Sequence, residues 1–264
     1  MMKRAILFQL LIMYTITISA QSSVRQNIKH VEPLQVDLIQ DLNARKGDRQ
    51  LEIDFDIDLQ QRYNAVSVEL EYEHTFSQRL GMELAVPLSV YGPKSGYNAG
   101  ADLPHNKIEG LKLGLQYTFS TIQRARTTMA LALIHESHFH SFTSMKKGSH
   151  LIKGYSETAA FVAARRWGKR IHTMLYTGPE WEVKPGTALK PVLHGDISIH
   201  WQVAKRQFIG VEYVYKSGKE AIPEIYPQLK MALTRHTDIC LAAAIPAKRT
   251  QEGMNIQGSL EIKL

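Results

Sequence analysis

The 264-residue chain has a single cysteine, Cys240, so no intramolecular disulfide can staple the fold. Beyond the first twenty residues, no stretch approaches the ~20 consecutive apolar residues that a membrane helix needs. The mature part also lacks amphipathic helical segments long enough to cover an extended apolar sheet face. The beginning of the chain is different. "MMKRAILFQLLIMYTITISA" carries Lys3 and Arg4, an apolar run from Ala5 to Ile18, and small residues at Ser19 and Ala20. That order predicts a secretory signal over 1–20, cleaved after Ala20. No cysteine lies near the cleavage point, which excludes a lipoprotein anchor.

What the chain does have is alternation. "LEIDFDID" sets Leu51, Ile53, Phe55 and Ile57 against Glu52, Asp54, Asp56 and Asp58. A period of two puts the two sets on opposite faces of a strand. The pattern repeats in "VSVELEYEHTF", "LGMELAVPLSVY" and "GLKLGLQYTF", then through "LHGDISIHWQV", "FIGVEYVYKS" and the final "MNIQGSLEIKL". Twelve such segments are found in all. Each is near the 9–11 residues of a membrane-spanning strand. The segments around 159–164 and 241–244 are apolar on both faces, which leaves their register open.

Short basic links ("SQR", "TIQRAR", "GKR", "AKRQ", "RHT") alternate with longer ones over 92–107, 138–154, 184–190, 217–226 and 247–253. Aromatic residues gather near strand ends. Short turns on one side, long loops on the other and aromatic girdles predict an all-β, transmembrane antiparallel barrel of about twelve strands. A secreted soluble β protein would need a second layer over the long apolar faces, and none is evident. The predicted organisation is a signal over 1–20, a periplasmic extension or plug over 21–49, and an outer-membrane barrel over 50–264. Within the extension, Leu34, Leu38 and Leu42 follow Pro33 at helical spacing and Gly47 ends the run, predicting a short amphipathic helix.

In such a barrel the apolar face meets lipid and the polar face lines a lumen. The predicted acidic wall comprises Glu52, Asp54, Asp56, Asp58, Glu69, Glu71, Glu73 and Glu83, opposed by Lys112, Lys216, Lys230 and Lys263. His172, His194 and His200 face inward by the same parity. So many buried charges require water or opposite charge. A lumen filled by structural ion pairs and a selective solute path both satisfy that requirement.

"HESHFH" is the stretch with the most chemistry. By parity Glu136, His138 and His140 face the lumen, a possible zinc, nickel or copper set that His150 could complete. Neighbouring side chains on one face diverge, however, so ordinary polar residues at the barrel mouth are the plainer reading. His135 and Ser137 face outward. A lipid-facing His-x-Ser resembles the catalytic pair of outer-membrane lipid A deacylases, in which histidine activates serine toward an ester. That chemistry also needs an acid to orient the histidine, and the sequence does not assign one.

The leader "HVEPLQVDLIQDLNARKG", together with strands such as "RLGMELAVPLSVY", resembles a group of Gram-negative outer-membrane β-barrel proteins with an N-terminal His-x-Glu-Pro-Leu leader. The resemblance spans most of the mature chain and implies location and fold more than activity. Such barrels often end in an aromatic residue, and this chain ends in Leu264. The sequence thus points to a non-enzymatic, porin-like barrel that passes or binds a small solute or ion, without a cofactor. Its partners would be outer-membrane lipid and, during biogenesis, the barrel-assembly machinery. A lipid-modifying or metal-binding barrel is the alternative. Nucleic acid is excluded as a partner despite the pI of 9.3, because the basic residues concentrate in the short turns, where they suit phospholipid phosphates.

Overall fold

A computed structural model describes residues 28–36, 38–58, 63–93, 103–141, 145–146, 148–184, 190–218, 223–246 and 255–264. The expected signal lies outside the described residues. Thirteen strands form one sheet: β1 (Arg49–Asp58), β2 (Asn64–Ser77), β3 (Leu80–Gly92), β4 (Lys107–Ile108), β5 (Gly110–Ile122), β6 (Thr127–Phe139), β7 (Ile152–Trp167), β8 (Ile171–Val183), β9 (Pro191–Ala204), β10 (Gln207–Lys216), β11 (Glu224–Ala232), β12 (Thr237–Pro246) and β13 (Asn255–Lys263). Each long strand pairs antiparallel with its neighbours in sequence. β1 also pairs with β13, with Leu51 opposite Ile262, so the sheet closes on itself. Closure leaves no unpaired edge. β4 and β5 both pair with β3 and are divided only at Glu109, whose amide donates to the Pro87 carbonyl at 2.8 Å. The result is a twelve-stranded barrel with one broken strand.

Alternation sorts the residues as expected. Leu51, Ile53, Leu84, Leu111, Leu131, Leu133, Ile197, Ile199, Val211 and Leu241 are exposed on the outside. Their strand neighbours Glu83, Lys112, Gln116, Ser198, Glu212 and Ser259 are buried inside. Exposed Phe76, Phe119, Trp167 and Trp201 ring the end with the short turns, and Tyr155, Tyr213 and Tyr215 lie toward the long loops. The two uncertain registers are settled. Ala160, Val162 and Ala164 are buried inside, as are Cys240, Ala242 and Ala244.

The tightest turns carry strain that hydrogen bonds offset. Arg206, between β9 and β10, sits at φ 58°, a region unfavourable for a side chain with a Cβ. Its guanidinium donates to the Thr234 carbonyl at 2.9 Å and to Asp238 Oδ1 at 2.7 Å, tying this turn to the next.

Residues 28–36 and 38–48 lie in the lumen, and here one expectation fails. The described part of this segment consists of bends and turns rather than the expected helix over Leu34, Leu38 and Leu42. The Leu38 amide donates to the Val36 carbonyl at 2.9 Å, a tight turn in place of the bond to the residue four back that a helix needs. The Leu34 and Gln35 amides donate to Gln228 Oε1 and Glu212 Oε2, each at 3.0 Å. Val36, Leu38, Ile39 and Leu42 pack against Ala130, Ala132 and Ile134 of β6, Ala160, Val162 and Ala164 of β7, and Met174 and Tyr176 of β8. Fully burying such side chains contributes about 1.5–3 kcal/mol each. The segment enters near the short-turn end, where His30 Nε2 is 2.9 Å from Thr128 Oγ1. It climbs to Gln257, which pairs with Gln35, and returns to β1 beside Thr75.

Candidate functional site

The lumen is built around two lysines. Lys112 on β5 lies opposite Ala85 on β3, which in turn lies opposite Glu71 on β2. The small Ala85 lets the lysine reach across its own neighbour. Its Nζ is 2.5 Å from Glu69, 3.1 Å from Glu71 and 3.1 Å from Glu83. Lys230 repeats the device. It lies opposite Cys240 on β12, reaches past it to pair with Glu261 on β13, and stands 3.7 Å from Glu32 of the inserted segment. Lys230 therefore joins the insert to the wall.

The insert fits pits in that wall. A Cβ on Gly114 would stand 2.7 Å from Ile39 Cγ1, and one on Gly81 would stand 2.3 Å from Gln40 Oε1. Only glycine permits this approach. Beside these pits, Gln116 Nε2 donates to the Gln40 carbonyl at 2.8 Å. Between the insert and the charged wall lies a cavity of about 180 Å³ whose lining includes Glu32, Glu52, Asp54, Glu71 and Glu261 against Lys112 and Lys230. Five acids face two bases there.

Most of the anticipated lumen residues take part in this arrangement. Glu73 accepts from Gln50 Nε2 at 3.2 Å, as Glu52 does at 3.3 Å. Asp56 accepts from Gln257 Nε2 at 2.6 Å. Asp58 ends β1. Lys263 is 3.5 Å from Asp238, and Lys216 is exposed at the end of β10. His172 and His200 are buried directly opposite each other, while His194 pairs with Glu180 at 2.5 Å.

In "HESHFH", Glu136 and His138 pair at 3.3 Å, and His140 Nδ1 donates to the His150 carbonyl at 2.8 Å. Among the described residues, the trios whose ligand atoms lie within 4.8 Å of one another are Glu52–Glu71–Glu73 and Glu69–Glu71–Glu83, and Glu136, His138 and His140 do not form one. Glu136 and His138 meet, but His140 lies beyond the end of β6 and is committed to the His150 carbonyl. Lys112 sits among the second trio.

His30 and Glu32 stand close enough in sequence to bind something together but read more plainly as solvated polar residues; Glu32 instead lies inside the barrel near Lys230. Gln35, Glu212, Gln228 and Glu261 were not anticipated. Glu212, Gln228 and Glu261 share the inward parity of the lysines on their own or adjacent strands, so their signal was present. Gln35 lies outside any strand and had none.

A closed, apolar-walled twelve-stranded barrel with a charged lumen is the architecture of outer-membrane channels. The model of the HAEPLYID-like family matches residues 26–260, and the chain belongs to that family. No curated protein matches it in sequence. Among solved structures the fold is similar to an outer membrane channel from Pseudomonas putida F1, at 8% identity and TM-score 0.61, covering 89% of this chain and 100% of that one. It is also similar to the KdgM porin, at 12% identity and TM-score 0.55, covering 81% and 99%. The NanC porin gives 8% identity and TM-score 0.55, covering 81% and 98%.

Proposed function

We propose that this chain is an outer-membrane channel for a small solute, held shut by its own leader. The carrying observation is the charged cavity between the insert (residues 32–36 and 38) and the wall of β1, β2, β5 and β11–β13. A barrel serving only as an anchor has no need of a water-accessible, ion-paired passage beside its filling. Residues 1–20 serve as the signal, 21–49 as the plug and 50–264 as the barrel. The short basic turns face the periplasm, and the long loops face outward.

The family name spells His-Ala-Glu-Pro-Leu-Tyr-Ile-Asp, and this chain reads "HVEPLQVD" at 30–37. We read that stretch as the family's mark, and it contributes His30, Glu32 and Leu34 to the plug. One KdgM porin structure is a complex with disordered oligogalacturonate. A polyanion of that kind would meet five carboxylates and two lysines here, so the solute assigned to this barrel is neutral or cationic.

The test is conductance in planar bilayers. The full mature chain should open rarely, and a variant lacking residues 28–47 should conduct steadily with cations preferred. A folded deletion variant that stays silent would sink the reading.

A further inference from the structure

The outer face carries a group that the channel does not use. Along β6 the outward residues run Met129, Leu131, Leu133, His135 and Ser137. Leu131 and Leu133 are 50% and 58% exposed, as lipid-facing residues should be. Then the apolar stripe stops. In the register of β6 with β7, His135 lies directly opposite Glu157 and Ser137 opposite Tyr155. His135 Nδ1 is 2.8 Å from Glu157 Oε1, and His135 Nε2 is 3.0 Å from Ser137 Oγ. One imidazole therefore links a carboxylate to a hydroxyl through its two nitrogens.

A lone ionisable pair on a lipid-facing wall is costly. A structural ion pair would account for histidine and glutamate, but it leaves the serine on the second nitrogen unexplained. The order is that of an activated nucleophile: Nδ1–H donates to the carboxylate, which leaves Nε2 to accept from Oγ–H. Leu111 and Leu113 lie opposite Ser137 and His135 on β5, and Trp181 lies opposite Glu157 on β8. The His135 ring also lies 5.8 Å from the Tyr155 ring, tilted by 33°. The site is half-exposed and stands close to where β6 ends at Phe139. At that height on a membrane barrel, lipid ester carbonyls lie between head groups and chains.

We propose that Ser137, His135 and Glu157 form a hydrolase centre that cleaves a fatty-acyl ester of a membrane lipid. An acyl chain lying along Leu111, Leu113 and Leu133 brings its ester carbonyl to Ser137. Oγ attacks the carbonyl carbon as its proton passes to His135 Nε2. The tetrahedral adduct collapses, the C–O bond to the lipid alcohol breaks, and the leaving oxygen takes the proton from Nε2. Water then attacks the acyl-serine, giving up a proton through Nε2 to Oγ and releasing a fatty acid. Glu157 is a positioning residue that holds the ring tautomer and stabilises the imidazolium. None of these steps depends on the state of the lumen.

The test uses the full mature protein reconstituted in two kinds of vesicle, one of phosphatidylethanolamine alone and one containing lipid A. Released fatty acid is measured by mass spectrometry, and a fluorophosphonate probe reports nucleophilic serine. Release from one vesicle type, with labelling of Ser137, is expected and identifies the ester source. Ser137→Ala should abolish labelling and lower release at least about a thousandfold, as should His135→Ala. Glu157→Gln should lower it about a hundredfold and move the acidic limb of the pH profile downward, with partial recovery in Glu157→Asp. Heat-modifiable migration verifies that each variant keeps its barrel. Wild-type protein that releases no fatty acid and takes no label would overturn the proposal, as would undiminished hydrolysis by a folded Ser137→Ala variant.

Discussion

The lumen has two unlike sides. Along the middle of β6–β8 the inward residues are apolar, from Ala130 and Val162 to Met174 and Tyr176, and Val36, Leu38, Ile39 and Leu42 of the insert lie against them. Along β1, β2, β5 and β11–β13 they are mostly carboxylates and amides around Lys112 and Lys230, and a cavity separates part of that wall from the insert. One side holds the insert by apolar packing, and the other combines glycine pits at Gly81 and Gly114 with ion pairs and a cavity. Apolar adhesion and charge thus rest largely on different residues, so each can be altered separately. A plug gripped equally by both sides would leave no space for a solute and could move only by losing every contact together.

That division can be broken where the two sides meet. Lys230→Met leaves Glu261 and Glu32 without their buried cation, which should cost about 3–5 kcal/mol. It should lower the thermal midpoint of the gel-shift transition and loosen the plug together; a change in neither would show that water, rather than Lys230, balances these acids. A more selective perturbation is Ile39→Ala, which empties the pit over Gly114 and should weaken docking by about 2–5 kcal/mol. Amide exchange at residues 34–42 should quicken and openings should become frequent, with the reversal potential unchanged. A shifted reversal potential would mean that apolar adhesion and charge are not separate.

Gly114→Leu should give the same phenotype from the wall side, because its side chain enters the space that Ile39 occupies. A barrel that closes normally around the substitution, with the plug still protected from exchange, would contradict the fit described here. The smallest expected effect is Glu71→Gln. Lys112 keeps Glu69 and Glu83 within reach, so stability should change by about 1 kcal/mol or less, while cation preference falls measurably in a plug-free channel. An unchanged reversal potential there would indicate that Glu71 contributes no uncompensated charge to the passage.

How much of this was legible in the sequence depended on residue type. Where Leu or Ile alternates with Glu or Lys, as in Leu51–Asp58 and Leu111–Gln116, each side chain announces its face. Alanine announces nothing. Ala159, Ala160, Ala163 and Ala164 fit either face, and only their pairing with β6 and β8 fixes which ones meet the insert. Leu34, Leu38 and Leu42 genuinely have helical spacing. The Leu38 amide turns instead to the Val36 carbonyl, and the Leu34 and Gln35 amides donate to side chains 194 and 177 residues further along the chain, contacts that no local pattern reports. Glu157 escaped for a related reason, since its link to His135 depends on a strand register that the flanking alanines left ambiguous.

The closing seam also sets an order of assembly. β1 follows the insert by a single turn, yet its barrel partner β13 is the last strand of the chain, and the Leu264 amide donates to the Arg49 carbonyl at 3.0 Å. The docking surface for residues 28–48 draws on strands from β3 to β13, so it is incomplete until the two ends of the chain have met. The plug is thus made first and seated last. During that interval its apolar residues have no home, and the short connection to β1 keeps them beside the mouth they are to enter. A chain stalled before β13 would present residues 28–48 without their full set of wall partners, so closure of the barrel completes their docking surface.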